Sequence, residues 1–142
     1  VLKDSGILIA YSGQLYLPQV LANLSKNLDY WWLGAVRHGG PGNLTPLSFP
    51  VRKVINKWKP LLMFVKRGGG YPGTFTDFVE GAGAEKDAHN WQQPLKEAVW
   101  LIEQFTGTGE LVIDPFAGSG TVARACDLTG RVFAGAEVLA NG

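Results

Sequence analysis

The chain has 142 residues, of which 46% are hydrophobic and 18% are charged, and its formal net charge at pH 7 is +1. This composition excludes a disordered polypeptide, and the short apolar runs predict neither a membrane-spanning helix nor a signal peptide. The length predicts a single domain, residues 1–142. The only cysteine, Cys126, cannot form an internal disulfide, which favours a reducing, cytoplasmic location.

The small net charge conceals an asymmetry between the two halves of the chain. Residues 1–70 contain nine basic and two acidic side chains, a balance of +7, whereas residues 71–142 contain four basic and ten acidic ones, a balance of −6. No acidic residue lies between Asp29 and Asp77. A basic half indicates a polyanionic partner, and a merely solvated charged face is the alternative interpretation.

The first half predicts strands around one helix. An apolar run predicts a buried strand at residues 7–11, and a stripe of leucine and valine predicts a helix over residues 14–28, with Pro18 in its first turn. Strands are predicted at 30–37 and 59–67, and we expect them to pair antiparallel. The glycine-rich stretch that follows predicts a flexible loop over residues 68–88.

The second half predicts a β-turn-α-β unit preceded by a helix. That first helix is expected at 94–105, and the run Leu111-Val-Ile113 is typical of a buried parallel strand. A second helix is expected to bury Cys126 and to stop at Gly130, before a strand at 131–138. Strands that alternate with helices indicate an α/β fold.

The turn between the predicted strand and helix carries the strongest functional signal. Gly118 and Gly120 allow the backbone to approach a ligand closely, and Ser119 is a candidate N-cap of the next helix. The loose pattern G-x-G-x-x-A, with Glu137 at the end of the next strand, is compatible with a dinucleotide site. The spacing alone therefore leaves a nicotinamide-dependent oxidoreductase as an alternative function.

The longer string Asp114-Pro-Phe-Ala-Gly-Ser-Gly-Thr121 resembles the cofactor motif of the DNA amino-methyltransferases, and the residues before it resemble another segment of that family. The resemblance implies that S-adenosyl-L-methionine is the cofactor and that Glu137 accepts hydrogen bonds from its ribose hydroxyls. His89-Asn-Trp-Gln-Gln-Pro-Leu95 is similar to a family segment that packs beside the cofactor, although Gln93 replaces the usual lysine. The cofactor residues implied are Asp114, Pro115, Phe116, Gly118, Ser119, Gly120, Thr121, Glu137, Gln92 and Pro94.

The order of these segments resembles the permuted, beta-group members of the family. The resemblance implies a circularly permuted Rossmann-like methyltransferase fold, with a mixed, mostly parallel sheet that includes an antiparallel strand pair. The catalytic signature of the family is Asp, Asn or Ser followed by Pro-Pro and an aromatic residue, and no Pro-Pro pair occurs in this sequence. We therefore expect an incomplete domain whose catalytic residues lie upstream of Val1.

The implied function is that of a site-specific DNA methyltransferase of restriction-modification type, acting on adenine N6 or cytosine N4. The target base would be flipped out of double-stranded DNA. The residues expected to contact DNA are Arg37, Arg52, Lys53, Lys57 and Lys59. No metal site is expected, because His38 and His89 lack cysteine or histidine partners at ligand spacing. A nucleic-acid-binding module without catalysis is the other alternative.

Overall fold

A computed structural model describes residues 2–37, 52–80 and 95–137 of the chain. The chain divides into two compact units, Val1–Gly83 and Ala84–Gly142. The single domain of residues 1–142 stays a prediction. No helix in the described ranges is long and apolar enough to cross a membrane.

The first unit is built around a central strand. Its elements are β1 (Ile7–Tyr11), α1 (Leu17–Leu24), β2 (Leu28–Arg37), β3 (Trp58–Lys66) and β4 (Phe78–Val79). The strands form one sheet in the order β1-β3-β2-β4. β3 runs antiparallel to both β1 and β2, which confirms the predicted pairing of the two longer strands. Residues 61–65 of β3 are buried almost completely, so this strand forms the core of the unit.

Helix α1 is shorter than the predicted range of residues 14–28. Residues 14–16 form a turn, in which the Tyr16 amide donates to the Gly13 carbonyl, and the helix ends at Leu24 with Ser25 as its C-cap. Leu28 belongs to β2 and not to the helix. The apolar spacing continued into the strand, and it could not mark the boundary because a leucine suits both elements. Pro18 lies in the first helical turn, as expected.

The predicted loop at 68–88 contains structure in its described part. β4 pairs in parallel with β2 at Ala35 and Val36, and Val79 is buried. The Ala35 amide donates to the Asp77 carbonyl at 2.8 Å, and Trp32 Nε1 donates to Asp77 Oδ2 at 2.9 Å. These contacts hold residues 77–79 against the sheet, so this part of the predicted loop contains a short strand, and the flexibility of the loop stays a prediction. Residues 81–88 lie outside the described ranges.

The second unit is the expected helix followed by a β-α-β unit. Its elements are α2 (Leu95–Phe105), β5 (Leu111–Asp114), α3 (Thr121–Thr129) and β6 (Val132–Gly135), and β5 pairs with β6 in parallel. α2 and α3 enclose a small core of Ala98, Ile102, Ala125 and Cys126, against which Val112 and Phe133 pack. Gly130, in the left-handed region with φ 70°, ends α3 as predicted.

β5 is not the fully buried strand that its sequence predicted. Val112 faces the helices, whereas Leu111 and Ile113 are 56% and 50% exposed. Successive strand residues point to opposite faces, so helices on one face leave the other uncovered within this unit. A mixed pattern of parallel and antiparallel pairing is confirmed, but parallel pairing does not predominate among the described strands.

Candidate functional site

The turn that joins β5 to α3 depends on two glycines in the left-handed region. Gly118 has φ 51° and Gly120 has φ 81°. A Cβ atom at Gly120 would meet no heavy atom within 4 Å, and one at Gly118 would meet only the Phe116 carbonyl at 3.8 Å. The protein therefore leaves open space beside both residues, and the turn exposes backbone at the carboxyl end of a parallel strand. Ligands bind at this position in α/β folds.

Backbone and side-chain hydrogen bonds hold the turn in shape. Asp114 Oδ1 accepts the Phe116 amide at 3.0 Å, and the Ala117 amide donates to the Ala136 carbonyl at 2.9 Å. The second bond ties the turn to the end of β6, and no sequence signal had pointed to either alanine. Pro115 and Phe116 lie in the turn, and the Phe116 ring is 83% exposed.

Glu137 lies against the glycine turn. Its Oε2 accepts the Gly118 amide at 2.5 Å, so one carboxylate oxygen is held at the point where β5 and β6 both end. Residues 118 and 137 are far apart in sequence, and the parallel pairing of β5 with β6 brings them together. The geometry therefore brings a carboxylate next to the first of the two glycines of the turn.

The beginning of α3 differs from the expected capping. Gly120 is the N-cap and not Ser119, and the cap has no side-chain hydrogen bond. The Ser119 hydroxyl instead lies 3.4 Å from that of Thr121, which is buried as the first residue of the helix. A serine one position too early cannot reach the helical amides in the way an N-cap serine does. Gln92 and Pro94 lie outside the described residues.

Of the basic residues expected to bind DNA, Arg37 and Lys59 lie at one end of the first unit's sheet, and Lys57 directly precedes β3. Arg37 pairs with Trp58 across the strands. Trp58 lies between Lys57 and Lys59 in sequence, and Arg52 and Lys53 come before β3. Arg37 and Lys59 leave opposite faces of the sheet, because cross-strand partners share a face and neighbours alternate. The five residues therefore do not form one flat patch.

Arg37 and Lys59 contact other side chains of the protein. Arg37 Nη1 lies 3.3 Å from Glu80 Oε2, and Lys59 Nζ lies 4.1 Å from the centre of the Tyr11 ring. The ion pair joins residues that are far apart in sequence, so no local pattern could have predicted it. Arg52 and Lys53 are exposed.

Neither a metal site nor a reactive cysteine appears in the described part of the chain. No group of three His, Cys, Asp or Glu residues there could hold a metal ion. His38 and His89 lie outside it. Cys126 is fully buried, and burial raises the pKa of its thiol, with the charge of Asp127 as the next cause. The expectation that Cys126 is a core residue is confirmed.

Known proteins resemble this chain over most of its length. The crystal structure of M1.HpyAVI in complex with S-adenosylmethionine aligns with a TM-score of 0.74 at 21% identity, covering 95% of this chain and 69% of the other. A DNA modification methylase of Thermus thermophilus, solved in complex with S-adenosyl-L-methionine, gives 0.69 at 20% identity, covering 96% and 65%. The cytosine-N4-specific PvuII DNA methyltransferase gives 0.70 at 18% identity, covering 96% and 60%.

These structures show that the fold is the α/β fold of such methyltransferases. A curated relative, YubD of Escherichia coli (strain K12), which is assigned as a methylase, is 41% identical over 51 residues. That stretch covers 36% of this chain and 22% of YubD, so the chain spans only part of the length of its relatives. The family model for DNA methylase, which groups N6 and N4 enzymes, matches residues 25–141, well over half of the sequence. The chain belongs to the N6/N4 DNA methylase family.

Proposed function

We propose that this chain provides the cofactor-binding and DNA-contacting part of a methyltransferase that modifies an exocyclic amine of DNA, adenine N6 or cytosine N4. The observation that carries the proposal is the Glu137 carboxylate held against the Gly118 amide at the ends of two parallel strands. A carboxylate beside an open glycine turn has the acceptor oxygens that a ribose diol requires. Family membership supplies the reaction class.

The residues of the turn fit S-adenosyl-L-methionine. The space that a Cβ atom would fill at Gly120 is open, and Gly118 has only one distant neighbour. Phe116, exposed in the same turn, offers an apolar surface, and the Glu137 carboxylate at the Gly118 amide offers hydrogen-bond acceptors. Asp114 fixes the turn through the Phe116 amide, so we assign it a positioning role. Gln92 and Pro94 remain predicted neighbours of the cofactor.

The bound cofactor supplies a methyl group on a sulfonium centre. The residues of this chain would bind and orient it: Glu137 would accept hydrogen bonds from the sugar, and the glycine turn would let the backbone come close. Positioning two reactants is itself a large part of catalysis, because it removes the entropy of bringing them together. The exposed side chains of Arg52 and Lys53 are available to contact DNA phosphates, whereas Arg37 forms an ion pair with Glu80.

Calorimetry on the purified chain tests the cofactor assignment. S-adenosyl-L-methionine should bind more tightly than NAD, and Gly118→Val should abolish its binding. A branched side chain would occupy the open space and would be strained at φ 51°, at a cost of about 1–3 kcal/mol.

Gly109→Val is the matched control for strain alone. Gly109 also has a positive φ, 81°, and open space around it, but it lies before β5, at the opposite end of that strand from the glycine turn. This variant should lose stability and keep cofactor affinity. Tighter binding of NAD than of S-adenosyl-L-methionine would contradict the proposal and favour an oxidoreductase.

A further inference from the structure

The segment that leads into β3 carries an exposed apolar pair. Val54 is 46% exposed and Ile55 is 53% exposed, and they are adjacent in the chain. Single exposed apolar side chains are common on protein surfaces and need no explanation. An adjacent pair of exposed β-branched side chains is more unusual, because exposing each of them to water costs free energy. Here the residues around the pair are strongly charged.

The flanking residues are all cationic or neutral. Arg52 and Lys53 precede the pair and Lys57 follows it, and all three are exposed. No acidic residue occurs in the sequence between Asp29 and Asp77. Two apolar side chains between positive charges match a ligand that is anionic on its surface and apolar inside. Duplex DNA has this construction, with phosphates outside and stacked bases within.

Hydrogen bonds hold the residues that follow the apolar pair. Asn56 Oδ1 accepts the Trp58 amide at 3.4 Å, and Gln14 Nε2 donates to the Trp58 carbonyl at 3.2 Å. Trp58 is the first residue of the central strand, so the segment is attached to the most buried element of its unit. Lys53 has φ 54°, a left-handed conformation that is rare for lysine. Such conformations are concentrated at functional positions.

We infer that Val54 and Ile55 form a wedge that enters the base stack of DNA, while Arg52, Lys53 and Lys57 contact the flanking phosphates. The inference rests on the proposed function, because a flipped base leaves a gap that an apolar side chain can fill. Among the described residues, this segment combines exposed apolar side chains with charges that DNA requires.

The test compares three short fluorescent DNAs of one sequence by anisotropy: an intact duplex, a duplex with one abasic nucleotide, and the single strand. The chain should bind the abasic duplex about tenfold more tightly than the intact one, because the gap removes the cost of unstacking. The double variant Val54→Ser with Ile55→Ser should lose this preference and keep its salt dependence.

Matched controls separate the wedge from other effects. Leu128→Ser removes another exposed apolar side chain, 65% exposed on α3, and should keep the preference for the abasic duplex. Lys57→Gln should weaken binding to both duplexes equally and lower the log–log salt slope by about 0.9. Circular dichroism and calorimetry with S-adenosyl-L-methionine should show that the double variant folds and binds cofactor like the parent chain.

The outcomes separate the inference from the proposed function. If the chain binds the cofactor and binds the intact and the abasic duplex with equal affinity, the wedge is overturned and the proposed function stands. An absence of DNA binding would contradict both. Binding to vesicles that contain phosphatidylserine, lost in the double variant while DNA binding is unchanged, would assign the segment to a membrane surface and overturn the inference.

Discussion

Several basic side chains of this protein bind its own backbone or its own acids. Arg131 donates from Nη2 to the Thr106 carbonyl and from Nη1 to the Thr129 carbonyl, both at 2.6 Å, so it satisfies carbonyls at the ends of two helices. Arg67 donates to the Lys26 carbonyl at 2.9 Å, and Lys66 pairs with Asp4 at 2.7 Å. A count of charges therefore overstates how many cations face an external polyanion.

The thiol of Cys126 is expected to be protected in the folded protein. The side chain is fully buried, and burial raises its pKa above the ordinary value of 9.0, so the reactive thiolate is disfavoured. The contribution of this group to stability is present below the ordinary pKa and is lost as the pH rises through the higher, folded-state value. Alkylation followed by mass spectrometry should show slow labelling in buffer and fast labelling in urea. Rapid labelling of the native protein would show that the α2–α3 core opens readily.

At the scale of elements, β4 depends on a close approach to Gly34. A Cβ atom there would lie 2.9 Å from the Asp77 carbonyl oxygen and 3.1 Å from the end of the Met63 side chain. Gly34→Ala should push residues 77–79 away from β2 and weaken the bond between the Ala35 amide and Asp77. Hydrogen exchange at the Ala35 amide should become at least several-fold faster.

Gly13→Ala is the control for this prediction. A Cβ atom at Gly13 would make only an ordinary contact of 3.7 Å with the Tyr16 ring. Exchange at the Ala35 amide should then be unchanged. Equal exchange rates in the parent chain and in Gly34→Ala would mean that β4 adapts without loss.

The segment before β3 should dominate the salt dependence of DNA binding. Each phosphate contact that is lost should lower the log–log slope by about 0.9. Arg52→Gln should show this change in full, whereas Arg37→Gln should show less, because Glu80 already neutralises part of the Arg37 charge. Titrations at several salt concentrations measure both slopes. An affinity that does not change with salt would mean that these charges form only a solvated surface.

Elements with a strong local pattern could be predicted from the sequence, and pairings between distant residues could not. Apolar runs located β1 and β3, and Gly130 marked the end of α3. The two-residue strand β4 has no local signal in the sequence, because it forms only where the absence of a side chain at Gly34 lets the chain approach β2. The position of the glycine turn was predicted. The N-cap of α3 is Gly120 and not the predicted Ser119, because the backbone conformation of the turn determines where the helix begins.

At the scale of the whole molecule, we expect the chain by itself to bind cofactor and not to methylate DNA. The sequence has no Pro-Pro pair, and the catalytic signature that the family resemblance implies requires one. Transfer of a radiolabelled methyl group to unmethylated DNA by the purified chain is the measurement, with calorimetry to show that the cofactor binds. Turnover well above a no-protein control would show that the catalytic residues lie within these 142 residues.

The strand order of the first unit also determines when that unit can fold during synthesis. β1 and β2 are not neighbours, and each pairs with β3, which is made after both. A nascent chain that ends before Trp58 therefore exposes two strands without their common partner, at the stage when unpaired edges are most prone to aggregate. Protection of β1 from protease on the ribosome should consequently begin only after Lys66 has emerged, and a slow stretch of translation before that point should increase the dependence of this protein on chaperones.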